Sequence, residues 1–290
     1  MSQRHSRSSW KAALLDPALG WLLAFFLAPI AVMLVISFAR RGTYGGIEWV
    51  FGVGNYVRAL APDYLTIYVR TVLMAAATTL ICLVMAYPAA YYIALKADPK
   101  WRSFYLLLAV VPFWTSFLIR TYAWILLLRT EGLINTMLVG MGLVSEPLKL
   151  LYCDSAVLMG LVYGELPFMI LPLYSALSRL DTGLLEAAED LGASPAQAFW
   201  TVTVPLTLPG IIVGTVFVFI PSLGAFVTPD LLGGSKSIMI GNRVQDLFAS
   251  VRDQPFGAAI SFLLTLIVLT MLVGAMRVKG RTDSLHGSTI

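Results

Sequence analysis

Charged side chains are scarce in this sequence: Asp, Glu, Lys and Arg make up 12% of its 290 residues, whereas hydrophobic residues make up 58%. Soluble domains carry about 25% charged residues, so the composition excludes an ordinary soluble protein and indicates one that lies in a lipid bilayer. The net charge of +4 is modest, and we interpret it as loop charge beside a membrane rather than as a nucleic-acid-binding surface. We therefore expect membrane lipid, and no nucleic acid, among its partners.

Cysteine and histidine are nearly absent, with two residues of each. Cys82 and Cys153 lack the C-x-x-C spacing of a zinc or redox motif and are too few for a disulfide framework. The histidines are His5 and His286, close to the two ends of the chain, so a histidine-based catalytic or metal site is excluded. The sequence also lacks the G-x-x-x-x-G-K-[ST] loop that binds nucleotide phosphates. We therefore expect neither an enzyme nor a metal protein.

Six apolar runs are long enough to cross a bilayer, whose hydrocarbon core needs about 20 apolar residues per helix. They are 18–39, 71–95, 104–128, 155–178, 208–229 and 256–276. None shows the period-two alternation of a membrane β-barrel. The sequence therefore predicts an all-α membrane protein with six transmembrane helices in 18–276 and tails at 1–17 and 277–290. The first run is longer than the signal-peptide core of about 7–15 residues, so we expect it to be retained as a span.

The six predicted spans place both termini on the same side of the membrane. Positive charges close to span ends, especially in short loops, favour the cytoplasmic side. The turn 96–102 carries three cations within seven residues, between two spans. We therefore predict that both termini, and the loop between the fourth and fifth spans, lie in the cytoplasm.

That loop, residues 179–207, has the pattern of two short helices joined by a tight corner. Asp181 or Thr182 is a suitable N-cap for a first helix that ends at Leu191, and leucine and alanine recur on one of its faces. Gly192 follows at the position where a residue in the left-handed conformation ends a helix.

The second helix of the loop begins with a predicted capping box. Ser194 is the N-cap, Pro195 the first helical residue and Gln197 the third. In such a box the side chains of the N-cap and of the third helical residue each accept a hydrogen bond from the other residue's backbone N–H, and proline is favoured at the first position. We expect Phe199 and Trp200 either to anchor at the membrane interface or to fill the pocket of a partner. The loop carries four acids against one cation, which fits a basic partner surface; a solvated turn is the alternative.

The loop resembles the EAA motif of the membrane permeases of ABC importers, in which Glu-Ala-Ala is followed by three residues, a glycine and a distal Leu-Pro. Here the motif consists of Glu186, Ala187, Ala188, Gly192, Leu208 and Pro209. The resemblance implies a type I ABC importer permease whose hairpin, 179–207, enters a groove on a cytoplasmic ATPase dimer. It also implies that ATP and Mg²⁺ bind to that ATPase and that this chain binds no cofactor. The implied ATPase-coupling residues are Glu186, Ala187, Ala188, Asp190, Gly192, Ser194 and Pro195.

Three further segments resemble the spermidine/putrescine permease family. They are PFWTSFLIRTYAW at 112–124, LPFMILPLYSAL at 166–177 and FIPSLGAFVTPDLLGG at 219–234. Importers of this family contain two different permeases, and the segment 112–124 resembles the corresponding segment of the first one. The resemblance implies a bacterial inner-membrane importer with a second permease and a periplasmic or extracellular solute-binding protein. Ala225 stands where relatives often have an acid, and Glu165 where they are often uncharged. Polyamine is the expected solute, and another small organic solute is the alternative.

Two charges, Arg120 and Glu165, lie inside predicted spans. A charge at this depth costs about 2.5–3.5 kcal/mol on insertion scales, so each should face the protein interior or water. We predict that the two lie close together, with Arg120 either lining the solute path or forming a structural pair. The acids and rings that are candidates for contact with an ammonium solute are Glu165, Asp230, Trp114, Tyr122, Trp124 and Tyr163. Ordinary packing of the rings is the alternative.

A secondary transporter and a membrane scaffold are the competing classes. A secondary transporter needs intramembrane acids for ion coupling, but Glu165 is the only acid inside a predicted span. A scaffold has no need of the capped corner and its Leu-Pro ending. ATP hydrolysis stimulated by substrate after a cognate ATPase is added distinguishes the importer from both.

Overall fold

The structure, a computed structural model, describes residues 6–287, with side chains for Pro17 and for 19–274 except Lys236. The described chain is mostly helical. The α-helices are α1 Ser6–Ser37, α2 Gly54–Ala59, α3 Pro62–Tyr91, α4 Pro99–Val110, α5 Phe117–Leu128, α6 Leu133–Gly140, α7 Asp154–Leu177, α8 Gly183–Asp190, α9 Pro195–Ala198, α10 Val204–Gly224, α11 Ile240–Ala249 and α12 Gln254–Gly287. Two strands, β1 Arg40–Arg41 and β2 Ile47–Glu48, form a hairpin. Short π-helical turns cover Tyr92–Lys96, Phe199–Thr203 and Pro229–Gly233, and 3₁₀ turns cover Val111–Trp114 and Gly234–Lys236.

The described chain forms two compact units, of which the first contains α1, the β-hairpin, α2 and residues 244–267. The strands pair antiparallel, with Arg40 opposite Glu48. Gly45 and Gly46 reverse the chain between them at φ of 91° and 84°, a conformation that glycine adopts without steric cost. The sequence did not predict this hairpin, because strands of two residues leave no period-two pattern to recognise, and it leaves the all-α class unchanged.

An ion pair with one buried partner stabilises the first unit. Arg58 Nη1 lies 2.7 Å from Asp253 Oδ2, and the Asp253 side chain is only 2% exposed. The guanidinium carbon of Arg58 also lies 3.9 Å from the ring centroid of Phe256, which is fully buried. Asn55 Nδ2 donates to the Ala39 carbonyl at 2.8 Å, and this bond fixes the start of the loop that leaves α1.

The second unit packs α3, α7 and α10 around a core of small and aliphatic residues. Two glycines let α10 approach α7 closely. A Cβ added at Gly210 would lie 2.5 Å from Ala176 Cβ, and one added at Gly214 would lie 2.6 Å from Met169 Sδ. Small residues at such contacts let helix backbones come together in a bilayer, where van der Waals packing is a main source of association.

Within the described residues, five helices are long and apolar enough to cross a membrane, and a sixth span results if the bent pair Pro99–Trp114 and Phe117–Gly140 counts as one. The predicted six-span, all-α fold is confirmed in this form. The expectation of one continuous helix over 104–128 is wrong, because the two parts of the pair meet at 88°. Pro112 has no N–H to continue the first helix, and Thr115 is extended at ψ 148°.

Other predicted boundaries also shift. The second span is Pro62–Lys96 rather than 71–95. The fifth is Pro195–Gly224 rather than 208–229, so it begins inside the polar hairpin and ends before Ala225, whose backbone is extended. Of the tails predicted at 1–17 and 277–290, residues 1–5 and 288–290 lie outside the described residues.

Candidate functional site

The first helix of the polar hairpin, α8, begins and ends as the sequence predicts. Asp181, one of the two predicted caps, accepts a hydrogen bond from the Gly183 N–H at 2.9 Å. At the other end Gly192 has a φ of +89°. The Gly192 N–H bonds to the Glu189 carbonyl at 2.9 Å and the Ala193 N–H bonds to the Ala188 carbonyl at 3.0 Å. These are the two bonds of the Schellman motif, so the corner is closed by backbone geometry.

The second helix begins with the predicted capping box. The Gln197 N–H donates to Ser194 Oγ at 3.3 Å, and the Ser194 N–H donates to Gln197 Oε1 at 3.2 Å, with Pro195 in the first turn. From there α9 passes through the π-helical turn 199–203 directly into α10. The second helix is therefore the start of the candidate membrane span Pro195–Gly224, and a displacement of the corner moves the span with it.

One face of the hairpin is open to solvent. Leu191 is 89% exposed and Trp200 68% exposed, although both are large apolar side chains. The acids Glu186 and Asp190 are exposed as well, as is Ala187, whereas Ala188 is half-buried. Exposed apolar groups rimmed by charge are typical of a protein–protein contact, so the hairpin has the surface chemistry of a docking element.

Phe199 does not belong to that open face. Its ring meets the rings of Tyr87 and Tyr91, both from the end of α3, edge-on at centroid distances of 5.4 and 6.0 Å. The Tyr87 hydroxyl also hydrogen-bonds to Thr207 Oγ1 at 2.8 Å. Neither predicted role of Phe199, anchoring at the membrane interface or filling the pocket of a partner, accounts for this packing inside the chain, which clamps the hairpin to α3 as well as to α10. The sequence analysis missed Tyr87 and Tyr91, since no local pattern connects residues so far apart.

The two intramembrane charges do not pair. Arg120 and Glu165 form no ion pair within 4.0 Å in the described part of the chain. Arg120 Nε and Nη1 and Glu165 Oε2 are all buried there without a hydrogen-bond partner. The predicted pairing is therefore not formed. Unsatisfied buried polar atoms are rare and costly, which makes this pair of groups the second candidate for function.

Aromatic rings take the place of the expected carboxylate around Arg120. Its guanidinium carbon lies 4.6 Å from the Phe113 ring centroid and 5.9 Å from that of Tyr163. Tyr163 in turn meets Trp124 edge-on at 5.7 Å. The structure thus brings together three of the predicted path residues, Arg120, Tyr163 and Trp124, and adds Phe113, which sequence reasoning missed.

The remaining predicted path residues lie elsewhere or at the surface. Trp114 is 77% exposed and Tyr122 is 55% exposed, and no ring contact within the described residues links either to the Arg120 cluster. Asp230 is exposed in the π-helical turn Pro229–Gly233. Their contribution to a solute path stays a prediction.

Comparison with known proteins gives a family and a set of relatives. The family described as "Binding-protein-dependent transport system inner membrane component" matches residues 25–279. The spermidine/putrescine transport system permease protein PotB of Escherichia coli is 43% identical over 254 residues, which are 88% of this chain and 92% of the relative. The family match over 25–279 includes the hairpin and both intramembrane charges.

Two solved structures share the fold. A bacterial ABC transporter involved in the import of the acidic polysaccharide alginate contains a chain that matches with a TM-score of 0.74 at 18% identity, covering 95% of this chain and 96% of that one. The alginate transporter in complex with an alginate pentasaccharide-bound periplasmic protein matches with a TM-score of 0.73 at 18% identity, covering 93% of each chain. At this identity the likeness establishes the architecture alone.

Proposed function

This chain belongs to the family of inner membrane components of binding-protein-dependent transport systems, and we propose that it imports spermidine or putrescine as one permease subunit of an ATP-driven transporter. The observation that carries the polyamine assignment is the 43% identity to PotB over 88% of the chain. Identity at this level over most of the length of both chains supports a shared transport function.

The proposed assembly has four kinds of subunit. A second, similar permease completes the translocation path, and a cytoplasmic ABC ATPase dimer supplies the energy by binding ATP with Mg²⁺. A solute-binding protein delivers polyamine on the opposite side of a bacterial inner membrane. This chain then lies with both termini and the 179–207 hairpin in the cytoplasm, and it hydrolyses no ATP itself.

The hairpin is proposed to couple ATP hydrolysis to the spans. Closure of the ATPase dimer displaces the docked surface formed around Glu186, Ala187, Ala188 and Asp190. Gly192, Ser194 and Pro195 hold the corner rigid, so the displacement is transmitted rather than absorbed. Because α9 runs into α10 and Phe199 packs on Tyr87 and Tyr91, α10 and α3 move together, as in rigid-body alternating access.

The solute path is proposed to run past Glu165. A carboxylate attracts an ammonium group, and the faces of Tyr163 and Trp124 add cation–π attraction. Trp114, Tyr122 and Asp230 are assigned to the same path on their residue type. Arg120 repels a polyamine, so its stacking on Phe113 gives it a structural or gating role in this proposal.

One observation favours a second solute class. Arg120 presents two buried N–H-bearing atoms with no partner among the described residues, and Ala225 replaces an acid that is common in the family it resembles. A small organic solute with an anionic group would satisfy Arg120 and would not need the missing acid.

The test is ATP hydrolysis by the chain reconstituted in lipid nanodiscs with its partner permease and ATPase, titrated with binding protein and spermidine or putrescine. Stimulation by either polyamine supports the proposal. Basal hydrolysis that responds to the binding protein only with an anionic solute would overturn the polyamine assignment and keep the importer.

A further inference from the structure

A basic cleft lies at the end of α7 that is remote from the hairpin. α7 begins at Asp154 and ends at Leu177, immediately before the hairpin, so the cleft and the hairpin are on opposite sides of the membrane. The cleft has a volume of about 1040 Å³. Its walls are the first third of α3, the end of α5, the loop 149–154 and the segment 233–237.

The charge of the cleft is unbalanced. Of the side chains that the structure describes, Arg70, Arg129 and Lys149 line it together with a single carboxylate, that of Asp154. Arg70 is paired with Asp154, and Ser237 Oγ donates to the same carboxylate oxygen at 2.5 Å. The side chains of Arg129 and Lys149 are exposed and make no hydrogen bond or ion pair with any other described residue. These described side chains carry a formal charge of +2. Since Arg70 is paired with Asp154, the cations that can bind an anion are Arg129 and Lys149.

The two free cations are held on an ordered backbone. Asn135 is 1% exposed, and its side-chain amide both donates to the Leu148 carbonyl and accepts from the Leu148 N–H, each at 2.9 Å. The same Nδ2 lies 3.4 Å from the carbonyl of Arg129. One buried amide therefore ties the residue before Lys149 to the backbone of Arg129. The backbone positions of Arg129 and Lys149 are therefore fixed relative to each other, although the two residues lie in different loops.

The floor of the cleft is also tightly built. Tyr152 has a φ of 61°, which is unusual for a residue other than glycine. Its N–H donates to the Leu232 carbonyl at 2.9 Å, and its ring lies against Gly234, where an added Cβ would be 3.0 Å from Tyr152 Cδ1. Strained backbone of this kind persists where the surroundings over-determine it, and it clusters at functional sites.

We propose that Arg129 and Lys149 in this cleft bind acidic side chains on the surface of the solute-binding protein. The inference rests on the proposed importer function, because that function puts the ATPase at the hairpin and leaves the binding protein as the partner on the opposite side. A related importer of the same fold has been solved in complex with a periplasmic protein. The positive charge excludes the polyamine itself as the occupant.

Charge pairs suit this partner because it must associate and leave in every transport cycle. Complementary charges at the rim of an interface raise the association rate and the specificity more than the final affinity. They are also screened by salt, which gives the experiment a second readout that a purely structural role of these residues would not affect.

The experiment measures binding of spermidine-loaded binding protein to the assembled transporter in nanodiscs. The double variant Arg129→Glu with Lys149→Glu should raise the half-saturating concentration about tenfold, equivalent to about 1.4 kcal/mol. ATP hydrolysis in the absence of binding protein should be unchanged. The matched control is Arg40→Glu, a charge reversal at an exposed cation of the first unit that does not line the cleft, and it should bind as the wild type does. Added NaCl should weaken wild-type binding and have less effect on the double variant.

Each other outcome decides against the inference in a different way. Equal binding by the wild type and the double variant overturns it and leaves the importer function intact. Absence of binding to the wild-type transporter overturns both. The assay is run in zwitterionic and in phosphatidylglycerol-containing nanodiscs, and a defect confined to the anionic membranes would assign the cleft to lipid headgroups instead.

Discussion

Substitution of Gly192 tests the coupling hairpin through its backbone alone. The φ of Gly192 is +89°, and a Cβ added there would meet no atom within 4 Å. Gly192→Ala therefore introduces no clash, and its cost is that of the left-handed conformation, about 1–2 kcal/mol for an L residue. A penalty of this size lowers the ratio of closed to open corner about 5- to 30-fold, which is the upper limit for the loss of uptake. Uptake should fall towards that factor while membrane insertion is retained, because the spans are unaffected.

Asparagine provides the matched variant, since it visits the left-handed region more readily than alanine. Gly192→Asn should keep most of the uptake, whereas Gly192→Pro should abolish it because proline fixes φ near −65°. The assay is the initial rate of spermidine uptake into vesicles at equal transporter abundance, with ATP hydrolysis followed in parallel. Equal uptake by the Ala and Asn variants would refute the reasoning, since the backbone conformation at Gly192 would then be irrelevant to coupling.

Three further predictions concern the path and the packing. Glu165→Gln should raise the half-saturating spermidine concentration for uptake about tenfold, equivalent to about 1.4 kcal/mol. The control, Glu146→Gln in an exposed loop, should leave that concentration unchanged. An unchanged value for Glu165→Gln would show that Glu165 does not line the solute path. Gly210→Ala would place a Cβ 2.5 Å from Ala176 Cβ and should destabilise the protein by about 1–3 kcal/mol, measured as a lower Tm. The control, Gly164→Ala, has open space around the added Cβ and should not lower the Tm. Arg58→Ala leaves the buried Asp253 carboxylate without its cation and should lower the free energy of unfolding by about 1–3 kcal/mol, measured by thermal unfolding. Arg58→Lys should recover part of this loss. A Tm of the Arg58→Ala variant equal to that of the wild type would contradict the stabilising role assigned to the ion pair.

The corner of the hairpin was predictable because its determinants are local. The first helix is closed by two bonds, one from the Gly192 N–H to the residue three positions earlier and one from the Ala193 N–H to the residue five positions earlier. The Ser194–Gln197 capping box spans four residues. A sequence motif of that length carries the whole geometry. The six apolar runs were predictable for a similar reason, since bilayer thickness sets a length that any single run can be measured against.

The surroundings of Arg120 were not predictable on the same basis. A lone cation in a span suggests a carboxylate partner, and Glu165 was the natural choice. The cation instead stacks on Phe113, which lies in the 3₁₀ turn between α4 and α5. That contact depends on the 88° bend of the third span, and a hydropathy window over 104–128 does not detect a bend. The contact between Tyr87 and Phe199 was not predictable either, because it depends on how α3 packs against the start of α10.

The position of α7 explains how the sites proposed here can act on one another. Asp154 at its first residue borders the basic cleft, Glu165 lies midway along it, and Ala176 near its end packs against Gly210 of α10. The helix has 24 residues and is therefore about 36 Å long, enough to cross the bilayer. Pro167 and Pro172 lie within it, yet buried residues before, between and after the two prolines, Val162, Met169 and Leu173, pack in a single core. In the proposed importer, a binding protein docked at the cleft would displace α7, and α7 would pass the displacement to α10, the helix that continues into the hairpin.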